Sequence, residues 1–201
     1  MKLYYSPGAC SLSPHIVARE AGFKLDLEKV DLGAKKTEKG ADFNAINAKG
    51  YVPVLELDDG SRLTEGAAIV QYLADKAGKA DLLPKTGTTE RYRALEALTF
   101  VSTELHQTFG PLFNDKTPEA FKAMAKERLA KRFDVMDKQL AGKDYLTGPA
   151  FTVADAYAFT VVNWSKYVGI DVARWPNLAA FQARVAARPK VAEALKAEGL
   201  A

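Results

Sequence analysis

Strand signals stop at Gly78. Before it, short β-prone and helical runs alternate; after it, every sustained apolar pattern steps at helical spacing. A chain that changes period once and does not return folds as an α+β unit followed by an all-helical unit. Leu3-Tyr4-Tyr5, stopped by Ser6-Pro7-Gly8, reads as a first strand. Ser11 to Ala21 carries Leu12, Ile16 and Val17 at helical spacing and closes at Gly22. Pro14 falls in the first turn of that helix, where an N–H has no intrahelical use. Leu25, Leu27 and Val30 suggest a second strand. Val52 to Leu57 is a third, and Asp59-Gly60 turns the chain into Arg62-Leu63. With a weak helix over Asp42 to Ile46 and a longer one over Glu65 to Ala77, the order is β-α-β-α-β-β-α. Ile69, Val70, Tyr72 and Leu73 are expected inward.

Residues 79–89 hold Pro84 and Gly87 and show no period beyond Leu82-Leu83, so they read as a linker between units 1–78 and 90–201. Tyr92, Leu95, Leu98, Leu105 and Phe109 predict one long helix broken at Gly110-Pro111. Phe121, Ala125, Leu129, Phe133, Met136 and Leu140 predict another, with Glu127 and Lys131 as an exposed pair. Val153 to Val168 is apolar nearly all round and should be a buried central helix, started by Thr152 and Asp155 as a capping box. Helices headed by Pro176 and Pro189 finish the chain.

Composition excludes several classes of function. A chain of 201 residues buries roughly 70–75% of its unfolded surface and needs no staple. Its 28 Lys and Arg and 25 Asp and Glu are interspersed, which leaves no basic stripe for nucleic acid. One cysteine permits no internal disulfide, and with only two histidines a zinc site lacks ligands, so no metal is expected. The longest apolar run is too short to span a bilayer and contains Asp155, and the first residues lack the apolar core of a signal peptide. The expectation is a cytoplasmic enzyme or binding protein without membrane contact.

Four places carry chemistry. Cys10 stands at the mouth of a helix, where N–H groups and the helix dipole lower a thiol pKa; it also reads as a buried, inert residue. Val52-Pro53 opens a strand with proline: a cis bond turns the Val52 backbone toward an extended peptide, a trans bond leaves an ordinary edge. Thr64-Glu65-Gly66 joins a hairpin to a helix, an arrangement able to hold adjacent carboxylate and amine groups, or simply to complement the dipole. Thr99, Ser102, Thr103 and His106 form a polar stripe ending in a titratable group. Phosphate loops, nucleophile elbows, zinc-protease and dinucleotide motifs are absent.

Taken in order, Tyr5-Ser6-Pro7-Gly8-Ala9-Cys10-Ser11, Asn47-Ala48-Lys49-Gly50-Tyr51-Val52-Pro53, Leu63-Thr64-Glu65-Gly66-Ala67-Ala68-Ile69, Thr103-Glu104-Leu105-His106 and Phe151-Thr152-Val153-Ala154-Asp155-Ala156 resemble the cytosolic glutathione S-transferases, most closely their bacterial beta class. The resemblance spans Met1 to Ala201. It implies a thioredoxin-like first domain, an all-α second domain lining the electrophile site, and a homodimer. It implies that Pro53 is cis, that Glu65-Gly66 hold the γ-glutamyl end of glutathione, that Lys35 meets the glycyl carboxylate and that the Val52 backbone pairs with the cysteinyl unit. Cys10 is placed beside the glutathione sulfur, and Thr99, Thr103, Glu104, Leu105 and His106 complete the site, some from the other subunit. Three positions depart from relatives: Gly66 stands where many carry serine, Thr99 where beta-class members often carry asparagine, and Gln107 where a basic residue is common.

The activity implied is transfer of glutathione, as co-substrate, to a small apolar electrophile, with Cys10 and His106 as catalytic residues. Cys10 adds a mixed-disulfide chemistry with glutathione. Tyr5 and Ser11 are the alternative thiol activators. A glutathione-dependent reductive dehalogenase and a non-catalytic ligand-binding protein of the same fold are the other readings.

Overall fold

The computed structural model describes residues 1–201. Strand β1 (Lys2–Tyr5) ends at the Ser6-Pro7-Gly8 turn, where Gly8 takes a φ of 72° that a side chain resists. Helix α1 (Leu12–Glu20) returns the chain to β2 (Asp26–Asp31), which lies parallel to β1. A two-residue strand β3 (Lys36–Thr37) folds back antiparallel on β2. It has no counterpart in the sequence reading, because two residues carry no alternation. Helix α2 (Phe43–Ile46) is capped by Asp42, whose carboxylate accepts from the Asn44 N–H at 2.9 Å. Strands β4 (Val54–Glu56) and β5 (Arg62–Thr64) form the hairpin across Asp59-Gly60, and α3 (Gly66–Lys76) follows.

The sheet runs β3-β2-β1-β4-β5. Alternation along β1 and β4 sorts its two faces. Leu55 joins the main core with Leu12, Ile16 and Ile69, while Tyr4, Val30 and Val54 pack on Phe43 of α2. Helices α1 and α3 therefore cover one face and α2 the other, giving a thioredoxin-like unit. Within α3, Ile69, Val70 and Leu73 are buried as expected, whereas Tyr72 is only half-buried.

The rest of the chain is helical. Helix α4 (Thr89–Phe100) does not continue as one regular helix. It passes into a π-helical turn over Val101–His106, a short α5 (Gln107–Phe109) and a 3₁₀ turn over Gly110–Phe113. Helix α6 (Glu119–Leu140) buries Ala125, Leu129, Phe133, Met136 and Leu140; Phe121 and Tyr92 are exposed rather than inward, and Glu127 and Lys131 form no ion pair. Helix α7 (Val153–Val162) is buried at every position, but it stops six residues short of the expected end and gives way to a 3₁₀ segment over Asn163–Tyr167. Asp155 accepts from the Thr152 N–H at 2.7 Å as part of the expected box, and also from the Leu146 N–H at 2.8 Å. Helices α8 (Pro176–Ala186) and α9 (Pro189–Ala197) start on their prolines.

One core joins the two units. Leu12, Ile16 and Ile69 pack with Ala154, Ala158 and Val191. Glu198, just past α9, accepts from the Gly8 N–H at 3.0 Å in a partly buried contact and lies 2.8 Å from His15 Nδ1 in a buried one. The chain end thus fixes the turn that leads to Cys10.

Candidate active site

A cavity of about 320 Å³ opens between the two units. Cys10, Val52, Pro53, Glu65 and Gly66 line it from the sheet side; Ser102, His106, Gln107 and Tyr157 line it from the helical side. Five places far apart in sequence converge because α1 and α3 both pack against α7, which carries Tyr157.

Cys10 is half-buried just ahead of α1. Its thiol lies 3.2 Å from the Val52 carbonyl oxygen, to which it donates. Burial pushes the thiol up to about 12, against the smaller opposing pull of the Cys10 and Ser11 N–H groups. The helix-mouth expectation of a lowered pKa is therefore corrected: desolvation of a charged sulfur outweighs two backbone dipoles. The Val52–Pro53 bond is cis. The Val52 N–H makes no hydrogen bond within the chain.

Glu65 stands at the N-cap position of α3 with a φ of 68°, its side chain making no cap hydrogen bond, and Lys35 has a φ of 55°. They are the two non-glycine residues of the chain in the left-handed region, a strain that concentrates at working sites. The Gly66 and Ala67 N–H groups have no partner, since the Ala68 and Ile69 N–H groups take the Glu65 carbonyl. The Glu65 carboxylate holds Lys49 Nζ at 2.6 Å and the Tyr51 hydroxyl at 3.0 Å, and the Lys49 ammonium foremost holds its pKa below the usual range. Lys35 does not line the cavity; its ammonium donates to the Gly50 carbonyl at 2.7 Å.

The π-helical turn carries both Ser102 and His106 into the cavity. Such turns recur at working sites because the extra residue re-aims the side chains around it. The Thr103 and Thr108 hydroxyls donate to the carbonyls four residues earlier, on either side of its end. His106 Nδ1 lies 2.5 Å from the Tyr157 hydroxyl. Burial is the main cause that lowers the His106 pKa and keeps the ring neutral; the charge of Glu65 opposes it.

Thr99, Thr103, Glu104 and Leu105 do not line the cavity of their own chain. Leu105 is buried in the core, Glu104 is held by Arg128 at 3.0 Å and Arg132 at 2.7 Å, and Thr99 and Thr103 face outward. Tyr5 and Ser11 also stand apart: the buried Ser11 hydroxyl is tied to Ser6 at both N–H and carbonyl. Sequence reading missed Tyr157, Tyr51 and Lys49. Tyr157 carried a signal, since a tyrosine inside a helix buried all round must find a partner for its hydroxyl.

Residues 8–76 match the glutathione S-transferase N-terminal domain model and residues 100–189 the C-terminal domain model. The curated glutathione S-transferase GstA of Escherichia coli O157:H7 is 46% identical over 200 residues, with all of both chains covered. The chain belongs to the glutathione S-transferase family. Among solved structures, a sphingomonad glutathione S-transferase complexed with glutathione superposes with a TM-score of 0.95 at 48% identity. A beta-class glutathione S-transferase of Sphingomonas chungbukensis gives 0.96 at 46%, and both matches cover all of each chain. For a member of this family, the cavity lies where the two named domains meet. No helix of this transferase-family chain is long and apolar enough to cross a membrane.

Proposed function

We propose that the protein is a glutathione transferase acting on small, largely apolar electrophiles, and that it works as a homodimer in the cytoplasm. Unit 1–78 holds glutathione, residues 79–89 link, and unit 90–201 lines the electrophile site and the dimer interface. The observation that carries this reading is the convergence of Cys10, Val52, Glu65, Gly66 and His106 on one cavity. The free Val52 N–H suits an extended peptide, and the free Gly66 and Ala67 N–H groups at the start of α3 suit a carboxylate. Glu65 takes the ligand amine and Lys35 the glycyl carboxylate. Thr99, Thr103 and Glu104 are assigned to the site of the partner copy; Leu105 is fully buried in its own core and takes only a packing role behind them.

In the reaction the glutathione thiol gives its proton to solvent. The sulfur attacks the electrophilic carbon, the C–S bond forms, and the leaving group departs with its electron pair. The chain contributes position and hydrogen bonds to the developing thiolate from Cys10 and His106. Phe113 and Trp164 form an aromatic wall beside His106, with ring centroids 5.8 Å apart, where an apolar electrophile can rest.

Cys10 favours one further chemistry because it lines the same cavity. Its thiolate attacks the glutathionyl sulfur of a mixed disulfide between glutathione and a small thiol, the Cys10–glutathione disulfide forms and the small thiolate leaves; reduced glutathione then attacks the bound glutathionyl sulfur, regenerating Cys10 and releasing oxidised glutathione. Calorimetry with glutathione and turnover of an aryl halide test the main reading: no binding and no conjugate would overturn it. Intact-mass analysis after oxidised glutathione tests the second, which fails if no adduct forms.

A further inference from the structure

Resting on the proposed glutathione thiol site, we propose that Tyr157 is a positioning residue: its hydroxyl donates to His106 Nδ1, fixes the imidazole protonated on Nε2, and so makes His106 a hydrogen-bond donor to the sulfur rather than a base. The two ring nitrogens of a histidine are distinct, and the partner of one decides what the other can do. Here Nδ1 is taken by Tyr157 at 2.5 Å, and Nε2 has no partner in the chain. The rings meet edge to face, with centroids 5.7 Å apart and planes at 86°. On another side the Trp164 indole packs on the imidazole at 4.8 Å. That indole cannot swing away, because its Nε1–H donates to the Gly8 carbonyl at 2.8 Å. The imidazole is thus held by α7, by the segment after it and by its own π-helical turn.

The direction of the hydrogen bond follows from chemistry. Burial keeps the Tyr157 phenol protonated, and burial holds the imidazole neutral. The two groups share one proton arrangement of lower energy, because a phenol donates better than it accepts and a bare imidazole nitrogen is the stronger acceptor. The titratable groups facing this pair are Glu65 and Cys10. Glu65 is already paired with Lys49, and Cys10 is a neutral thiol donating elsewhere. No cation stands there to favour the opposite tautomer. With Nε2 carrying the hydrogen, His106 offers an N–H at the cavity, which suits an anion such as a thiolate.

The test uses the full-length protein and Tyr157→Phe, which keeps the ring contact and removes only the oxygen. Nitrogen-15 spectra of the free wild type are expected to show His106 protonated at Nε2 alone, and those of Tyr157→Phe a mixture of tautomers. The thiolate absorbance of bound glutathione against pH is expected to titrate about one unit higher in the variant, a tenfold loss of thiolate below that range. In a His106→Ala background, Tyr157→Phe should add no further shift, because the hydroxyl acts through the imidazole. A wild-type ring protonated at Nδ1, an unmoved thiol titration, or full additivity with His106→Ala would overturn the proposal. A variant that fails to fold leaves the wild-type spectrum as the deciding measurement. Wild-type protein that takes up no glutathione in calorimetry would overturn the parent reading and this one together, and that flat trace is distinct from every result above.

Discussion

At the scale of single residues, three features of the site lead to measurable expectations. The first is the closed thiol of Cys10. A thiol held near 12 has far less thiolate at neutral pH than a free cysteine, so it should react with iodoacetamide at pH 7.5 about a hundredfold or more slowly. Its rate should keep rising with pH beyond 9, where a free thiol levels off; mass spectrometry of timed samples reads both. The second is the Glu65 clamp. Glu65→Ala should weaken glutathione binding by about 2–3 kcal/mol in calorimetry. The lower part of the range for charge pairs applies, since 54% of the carboxylate side chain is exposed and Lys49 already neutralises it. Gly66 offers a gain instead. A Cβ there would meet Pro53 and Ser13 at 3.8 Å and Tyr157 at 4.0 Å, ordinary contact distances. Gly66→Ser should therefore fit and tighten binding by about 1 kcal/mol through one added hydrogen bond.

At the scale of elements, α7 carries the molecule. Its cap combines the Thr152 box with an Asp155 carboxylate reaching back to the Leu146 N–H. Asp155→Ala removes the acceptor for two N–H groups in a buried place and should cost about 2–4 kcal/mol in denaturant melts. Burial raises the Asp155 pKa to about 6, with hydrogen bonds from Leu146 and Thr152 opposing it. The folded chain then holds a proton that the unfolded chain has released. The stabilising part of that difference is complete below pH 3.8 and is lost as pH rises through about 6. Melts of wild type against Asp155→Asn from pH 4 to 7 should show the variant gaining relative stability as pH rises.

At the scale of the whole molecule, the chain end reports on the site. Glu198 is fully buried and serves both the Gly8 N–H and His15, in residues more than 180 positions away. Removing it in Glu198→Ala leaves the buried His15 and the half-buried Gly8 N–H unmet and should cost about 2–4 kcal/mol. The same face-to-face logic applies outside the core. Tyr92 on α4 and Phe121 and Met124 on α6 are 61%, 51% and 64% exposed, an apolar display that suits a second copy of the chain. Light scattering at micromolar concentration should give twice the 21.9 kDa chain mass, and a monomer would contradict the proposed dimer.

The sequence alone determined the change from mixed to helical architecture, because apolar period is a local property that each segment carries with it. It also placed α1, α3, α6, α8 and α9, whose stripes, prolines and caps agree, and it marked Cys10, Val52, Glu65 and His106 as residues with chemistry. Tertiary structure decided what those residues do. The pKa of Cys10 is raised rather than lowered because the thiol is desolvated inside the fold, where it meets the Val52 carbonyl from 42 positions away, and such burial is set by tertiary neighbours rather than by local sequence. The positive φ of Lys35 and Glu65 and the π-helical turn that carries His106 have no local propensity signal. Packing imposes them, and packing is set by the whole chain at once. Tyr157 follows the same rule: its periodicity reads as core, and only the fold brings its hydroxyl to His106.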